Sequence, residues 1–250
     1  MGLASATTVR RKRLSEGVES LAVRYWQNFA VEDLMRDLTA LIDELVLDAW
    51  QQHLGAHSDV ALYAVGGYGR CEMHPGSDID LLVLAARPEK LREPIEDFLR
   101  DVFDLNVEVG HSVRDVKSCL QQAKDDITVA TALLERRFMA GDQRLLKKLD
   151  NKLQPDRIGS AEDFFRAKYL EQTTRHANYL DTDYNLEPNV KTSPGGLRDI
   201  HTALWVCLRQ FATADPKQLV QLGVLTELEG KWLMEGRRFL WWVRFGLHLI

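Results

Sequence analysis

The chain has 250 residues, 45% of them hydrophobic and 28% charged, with a formal net charge of −5, a composition typical of a soluble globular protein. The acidic balance argues against a dedicated nucleic-acid-binding protein, and the three widely spaced cysteines indicate a reducing compartment. With no secretory signal and no apolar run long enough to span a bilayer, the sequence predicts a cytoplasmic protein without a membrane partner.

The predicted elements begin with residues 1–20, which we expect to be a flexible tail or the start of a partner-contacting helix. From Phe29, apolar residues recur at the three-and-four spacing of an amphipathic helix, which should end near Gly55. Residues 59–65 are apolar and followed by two glycines, which predicts a buried strand. Three elements should follow: a strand over 80–84, a helix over 88–103 and an alternating strand over 106–109.

From Asp115 onward the pattern predicts helices only. One or two should cover 116–148, and others should cover 161–180 and 197–211. The last should begin at Thr226, where Thr-Glu-Leu-Glu fits a capping box, and run to Ile250. Because the chain stops inside this apolar helical stretch, we expect a fragment of a longer protein.

Two carboxylates, Asp78 and Asp80, lie two residues apart at the start of the second predicted strand. Residues two apart on a strand point to the same side, so both acids should project together while Ile79 and Leu81 face the core. Carboxylates so placed can share the divalent cations used in nucleotidyl transfer, with Mg²⁺ as the expected ion and Mn²⁺ as an alternative. Glu108, on the polar face of the third predicted strand, is the candidate third carboxylate.

A glycine pair, Gly66 and Gly67, closes the first predicted strand. Without a Cβ, its backbone N–H groups can approach a phosphate closely. An isolated Gly-Gly or Asp-x-Asp is usually a turn or a solvated edge, but here ten residues separate Gly67 from Asp78, and apolar strands flank both. This combination favours a triphosphate cradle and a metal site at adjacent strand ends.

The string GGYGRCEMHPGSDIDLLVL, residues 66–84, resembles the active-site signature of the DNA polymerase β-like nucleotidyltransferases. Three further strings are similar to the bacterial PII uridylyltransferase/uridylyl-removing enzyme family: EVGHSVRD (108–115), DITVATALLERR (126–137) and LEPNVKTSPGGLRDIHTALW (186–205). The resemblance implies an α+β fold whose nucleotidyltransferase core, a mixed sheet with helices, covers residues 21–145. An N-terminal helix should precede it, and a helical domain over 146–250 should follow.

The resemblance also implies a reaction in which a tyrosine hydroxyl of the PII signal protein attacks the α-phosphate of UTP, giving uridylyl-PII and pyrophosphate. Asp78 and Asp80 match the metal carboxylates of the family, and Gly66 and Gly67 match its phosphate loop. Glu108 falls on the third acidic position.

Four more residues are candidates for phosphate binding. Ser77 and Arg70 lie within the first motif, although Arg70 could equally pair with Glu72 or another acid. Lys191 and Arg198 lie in the last string, where they would balance the charge of the triphosphate or of the leaving pyrophosphate. The alternative for Arg198 is an ion pair with an acid at the start of a helix.

Family members also carry an HD-type hydrolase domain and glutamine-sensing ACT domains. The sequence has no His-Asp dipeptide and ends before either domain would begin, so we expect both domains, and glutamine control with them, to be absent. Two alternatives to uridylyl transfer stay open. One is a related enzyme such as an adenylyltransferase that acts on another protein, and the other is a non-catalytic module that binds nucleotide or PII.

Overall fold

The computed structural model describes residues 6–153, 159–180 and 189–250. Their four strands are β1 Val60–Ala64, β2 Ile79–Ala85, β3 Val109–Arg114 and β4 Arg137–Gly141. They form one sheet in the order β3-β2-β1-β4, in which β1 is antiparallel to β2 and β4, and β2 is parallel to β3. The mixed sheet and the surrounding helices confirm the predicted α+β fold.

The described residues also form eleven α-helices. They are α1 Ala6–Trp26, α2 Val31–His53, α3 Gly66–Gly69, α4 Arg92–Phe103, α5 Val116–Asp125, α6 Ile127–Leu134, α7 Gln143–Lys152, α8 Ala161–Leu180, α9 Leu197–Phe211, α10 Pro216–Gln221 and α11 Glu227–Leu247. None of these helices is both long and apolar enough to cross a lipid bilayer.

Several predicted elements agree closely with the structure. The helix predicted from Phe29 to Gly55 is α2, and the helices predicted over 161–180 and 197–211 are α8 and α9. The predicted capping box is present at the start of α11, where the side chains of Thr226 and Glu229 each bond the backbone N–H of the other. These signals were readable because each depends on local sequence alone.

Helix α1 corrects the prediction of a flexible tail for residues 6–20, whereas residues 1–5 lie outside the described residues. Three of its apolar side chains recur at helical spacing and are buried: Leu14, Leu21 and Tyr25. Arg10, only 7% exposed, donates to Asp101 of α4 at 2.8 Å. The charged residues between these positions mask the apolar period, which is why the sequence read as a tail.

The two edge strands were predicted incorrectly. The third strand lies at Val109–Arg114 rather than at 106–109, and β4 occupies a stretch where only helices were expected. Every residue of both strands is half-buried or exposed, so neither strand shows an apolar run. The central strands β1 and β2 are almost wholly buried and were therefore easy to recognise.

The sheet is covered on both faces. One face packs in a core with α1, α2 and α4, to which Trp241 and Phe245 of α11 also belong. The other face packs against α5, α6 and α7. Tyr25 of α1 stacks on Phe245 and donates its hydroxyl to the carbonyl of Trp242 at 3.1 Å, which fixes α11 against the rest of the chain.

Candidate active site

The two acids at the start of β2 share one cavity. Ile79 and Leu81 are at most 1% exposed and belong to the core beneath the sheet. Asp78 and Asp80 both line a cavity of about 300 Å³, together with Gly66. Because alternate residues of the strand point to opposite faces, the apolar residues face the core and the two carboxylates lie beside the glycine pair.

The carboxylate of Asp80 lies between two glycines. A Cβ built on Gly66 would be 2.9 Å from Oδ2 of Asp80, and one built on Gly110 would be 2.3 Å from Oδ1. Gly110 is the residue of β3 that pairs with Asp80. Gly66 also has a φ of +58°, a conformation that favours glycine. The sequence had assigned Gly66 to phosphate binding, and Gly110 had escaped notice.

We expect Gly110→Ala to displace the Asp80 carboxylate and to lower any activity of the site by at least about tenfold, because active-site geometry tolerates little misplacement. The β3 backbone is not strained at this position, so the thermal unfolding midpoint should fall only slightly. A matched control is Gly236→Ala on α11, whose Cβ would meet nothing within 4 Å. Equal activities of the two variants would contradict the role given to Gly110.

The electrostatics of the acid pair fit a cation. Burial raises the pKa of Asp80, and the neighbouring charge of Asp78 raises it further. Neither carboxylate forms an ion pair with any residue that the structure describes. A divalent ion such as Mg²⁺ often takes only one or two protein carboxylates and completes its shell with phosphate oxygens and water, so this donor set fits such an ion.

Glu108 does not line the cavity. It lies just before β3, its side chain is exposed, and its backbone carbonyl accepts from the N–H of Ile79 at 2.8 Å. Among the described residues, no group of three or more acidic, histidine or cysteine side chains is arranged to hold a metal. The role of Glu108 as a third carboxylate therefore stays a prediction.

The remaining motif residues surround the same cavity. Gly67 lines it from the short helix α3, and Ser77 lines it just before the acid pair. The Ser77 hydroxyl accepts from the N–H of His74 at 3.0 Å, which fixes the loop that leads into β2. Gly69 packs so closely that a Cβ there would lie 2.1 Å from the carbonyl oxygen of Glu135.

Arg70 is held between two carboxylates. Its Nε donates to Glu72 at 2.9 Å and its Nη1 donates to Glu135 at 2.5 Å. Glu72 also accepts from Nε2 of His201, and Glu135 accepts from the indole N–H of Trp205. Burial alone would raise the pKa of Glu72, but Arg70 and His201 hold it far below its usual range. Arg70 therefore makes the predicted ion pairs and lines the cavity as well.

Three other cations line the cavity without an ion pair to any described residue: Lys191, Arg198 and Arg244. Burial lowers the pKa of each, and neighbouring cations lower it further. For Lys191 these neighbours are Arg244 and Arg198, and for Arg244 they are Arg70 and Arg198. A polyanion would relieve the mutual repulsion between these half-buried cations.

The loop before α9 positions two of these cations. The side chain of Asn189 accepts from the N–H of Lys191 at 2.9 Å. Asp199 accepts from Arg175, from His176 and from the N–H of Gly195, which ties the loop to α8. Arg175, rather than Arg198, is thus the arginine paired with the acid at the start of α9.

Arg244 lines the cavity, and the sequence did not single it out. It is the lone lysine or arginine within the apolar stretch FLWWVRFGLHLI (239–250), most of which lies in α11. A basic residue inside an apolar helical run was the one available signal, because such a residue needs either an anion or solvent.

Two family models match separate parts of the chain. Residues 44–134 match the nucleotidyltransferase domain, and this range contains the acid pair and the glycine pair. Residues 163–250 match the GlnD PII-uridylyltransferase family, and this range contains Lys191, Arg198 and Arg244.

Similar proteins bear the name bifunctional uridylyltransferase/uridylyl-removing enzyme. The chain is 42% identical over 242 residues to that of Photobacterium profundum, covering 96% of this chain and 28% of the relative. It is 44% identical over 250 residues to that of Pseudomonas fluorescens, covering 99% of this chain and 28% of the relative. It is also 44% identical over 243 residues to that of Azotobacter vinelandii, covering 96% of this chain and 27% of the relative. The chain thus spans just over a quarter of the length of these relatives. It belongs to the PII-uridylyltransferase family and carries a nucleotidyltransferase domain.

Proposed function

We propose that this chain transfers UMP from UTP to a tyrosine hydroxyl of the PII signal protein and releases pyrophosphate. The observation that carries the proposal is a charge separation within one cavity. Two carboxylates without ion pairs, Asp78 and Asp80, face three cations that also have none among the described residues: Lys191, Arg198 and Arg244. A divalent cation and a triphosphate together complement this arrangement.

In the proposed reaction, the tyrosine oxygen bonds to the α-phosphorus while the bond from that phosphorus to the bridging oxygen of the β-phosphate breaks. Asp78 and Asp80 would hold Mg²⁺, or alternatively Mn²⁺. When bound, such an ion supplies Lewis-acid polarisation of phosphate oxygens and neutralises charge. Backbone N–H groups around Gly66 and Gly67, with the Ser77 hydroxyl, would contact phosphate oxygens.

The three cations would stabilise the charge that develops on the leaving pyrophosphate. A preorganised cation needs no reorganisation during the reaction, so its full interaction is available in the transition state. Arg70 is fixed by Glu72 and Glu135 and therefore holds α3 in place while adding positive charge to the cavity. Glu108 is proposed to assist removal of the hydroxyl proton, and Glu108→Gln tests that role separately.

The direct test incubates the chain with purified PII, Mg²⁺ and UTP and then measures the intact mass of PII. We expect one added uridylyl group on each modified PII subunit and stoichiometric release of pyrophosphate. ATP in place of UTP is the matched control. Modification by ATP instead of UTP would identify an adenylyltransferase, and nucleotide binding without pyrophosphate release would identify a non-catalytic module.

A further inference from the structure

The cavity has a second polar group, contributed by α6, α8 and α9, that the proposed phosphate chemistry does not use: Thr128, Thr131, Lys168, Glu171 and Trp205. Arg198 connects it to the acid pair. The charge of Arg198 interacts with the charges of Arg70 and Glu171, and its guanidinium lies 5.3 Å from the ring centre of Trp205. Asp80 has Arg70 among its charged neighbours. One cavity therefore contains the acid pair, the three cations and Glu171.

Lys168 is an unusual residue at this end. Its side chain is only 2% exposed, its Nζ lies 2.8 Å from Oε2 of Glu171, and the same Nζ lies 4.5 Å from the ring centre of Trp205. Burying an ammonium group is costly unless its donors are satisfied. The ammonium group has three N–H donors, and one carboxylate oxygen and one indole face do not occupy all of them. Lys168 can therefore donate a further hydrogen bond into the cavity.

Lys168 and Glu171 thus place a hydrogen-bond donor and an acceptor side by side. Uracil presents the complementary pair on its edge, since its 4-carbonyl accepts and the adjacent ring N–H donates. Cytosine presents the reverse order, with an amino group at position 4 and an accepting ring nitrogen. A donor and acceptor fixed for uracil would face like groups on cytosine, and the polar groups left unpaired would weaken the binding of cytosine.

We propose that Lys168 and Glu171 recognise the nucleobase, with Lys168 donating to a uracil carbonyl and Glu171 accepting from the ring N–H. The inference rests on the proposed function, because it takes the nucleotide to be UTP with its phosphates beside Lys191, Arg198 and Arg244. Trp205 is a positioning residue in this scheme. It contacts Lys168 through its ring and fixes Glu135 through its N–H.

The test compares the binding of UTP, CTP and inorganic tripolyphosphate by calorimetry in the presence of Mg²⁺. The variant is Glu171→Gln, which keeps size and is expected to fold because this side chain is 38% exposed. The matched control is Glu162→Gln, an exposed glutamate of the same helix that pairs with Arg166. We expect Glu171→Gln to weaken the binding of UTP by about tenfold and to reduce the preference for UTP over CTP. The binding of tripolyphosphate, which has no base, should not be weakened.

Two results would overturn the inference: an unchanged ratio of UTP to CTP affinity, or an equal loss of UTP and tripolyphosphate binding, which would indicate a structural role. Both can be told apart from failure of the proposed function. If the wild-type chain discriminates UTP from CTP through Glu171 but never modifies PII, only the reaction is wrong. If it modifies PII and Glu171→Gln keeps its base preference, only the base-reading role is wrong.

Discussion

Asp80→Asn is expected to lower the rate of UMP transfer by about a thousandfold, because cation-assisted charge stabilisation contributes several kcal/mol to such reactions. The chain should stay folded. The pKa of Asp80 is raised in the folded state by burial and by Asp78, so its contribution to stability is present at low pH and is lost as the pH rises through that pKa. At neutral pH, in the absence of divalent cations, the variant should therefore unfold at the same temperature as the wild type or a higher one.

The measurement combines PII modification with thermal unfolding in the presence and absence of Mg²⁺. The wild type should be stabilised by Mg²⁺ together with UTP, and Asp80→Asn should lose most of this stabilisation. The control is Asp97→Asn on α4, an exposed acid paired with Arg100, which should behave as the wild type does. A folded Asp80→Asn protein that transfers UMP at the normal rate would refute the assignment of the acid pair.

Arg244→Met is expected to raise the dissociation constants of UTP and of tripolyphosphate alike by about ten- to a hundredfold, the loss typical of a charge-assisted hydrogen bond. The loss of this positive charge should not lower the stability of the unliganded protein. Arg244 lowers the pKa of Lys191 by repulsion, and removing it relieves that repulsion. Arg244→Lys should restore only part of the affinity, because an ammonium group lacks the planar fork of guanidinium.

Calorimetry with tripolyphosphate measures this effect without requiring catalysis. The matched control is Arg238→Met on the same helix, whose side chain is 61% exposed and paired with Glu32. Arg238→Met should bind tripolyphosphate normally. Normal tripolyphosphate binding by Arg244→Met would show that α11 does not contribute to phosphate binding. An equal loss of affinity in both variants would indicate general damage to the helix.

The parts of the site that could be predicted are those set by local geometry. Asp78 and Asp80 were found because a strand places alternate residues on one side, and the glycine pair stood out beside an apolar strand. The cations Lys191 and Arg198 came from the family resemblance, since no spacing rule points to them. Each of these signals lies within a short stretch of sequence.

The parts that could not be predicted depend on contacts between distant segments. Gly110 matters only because β3 pairs in parallel with β2, and Arg244 matters only because α11 packs beside the sheet. Lys168 and Glu171 look like ordinary charges of an exposed helix until the fold places them at the cavity. The edge strands were missed for a similar reason, since partial exposure removes the apolar pattern that marks a central strand.

The contact between Tyr25 and α11 has a consequence for shortened versions of the protein. A truncation at residue 20, which a proposed core over 21–145 would suggest, would remove most of α1. Removing all of α1 would also remove the ring against which Phe245, the neighbour of Arg244, is stacked. Deleting the first helix should therefore weaken substrate affinity as well as folding, even though no residue of that helix lines the nucleotide cavity.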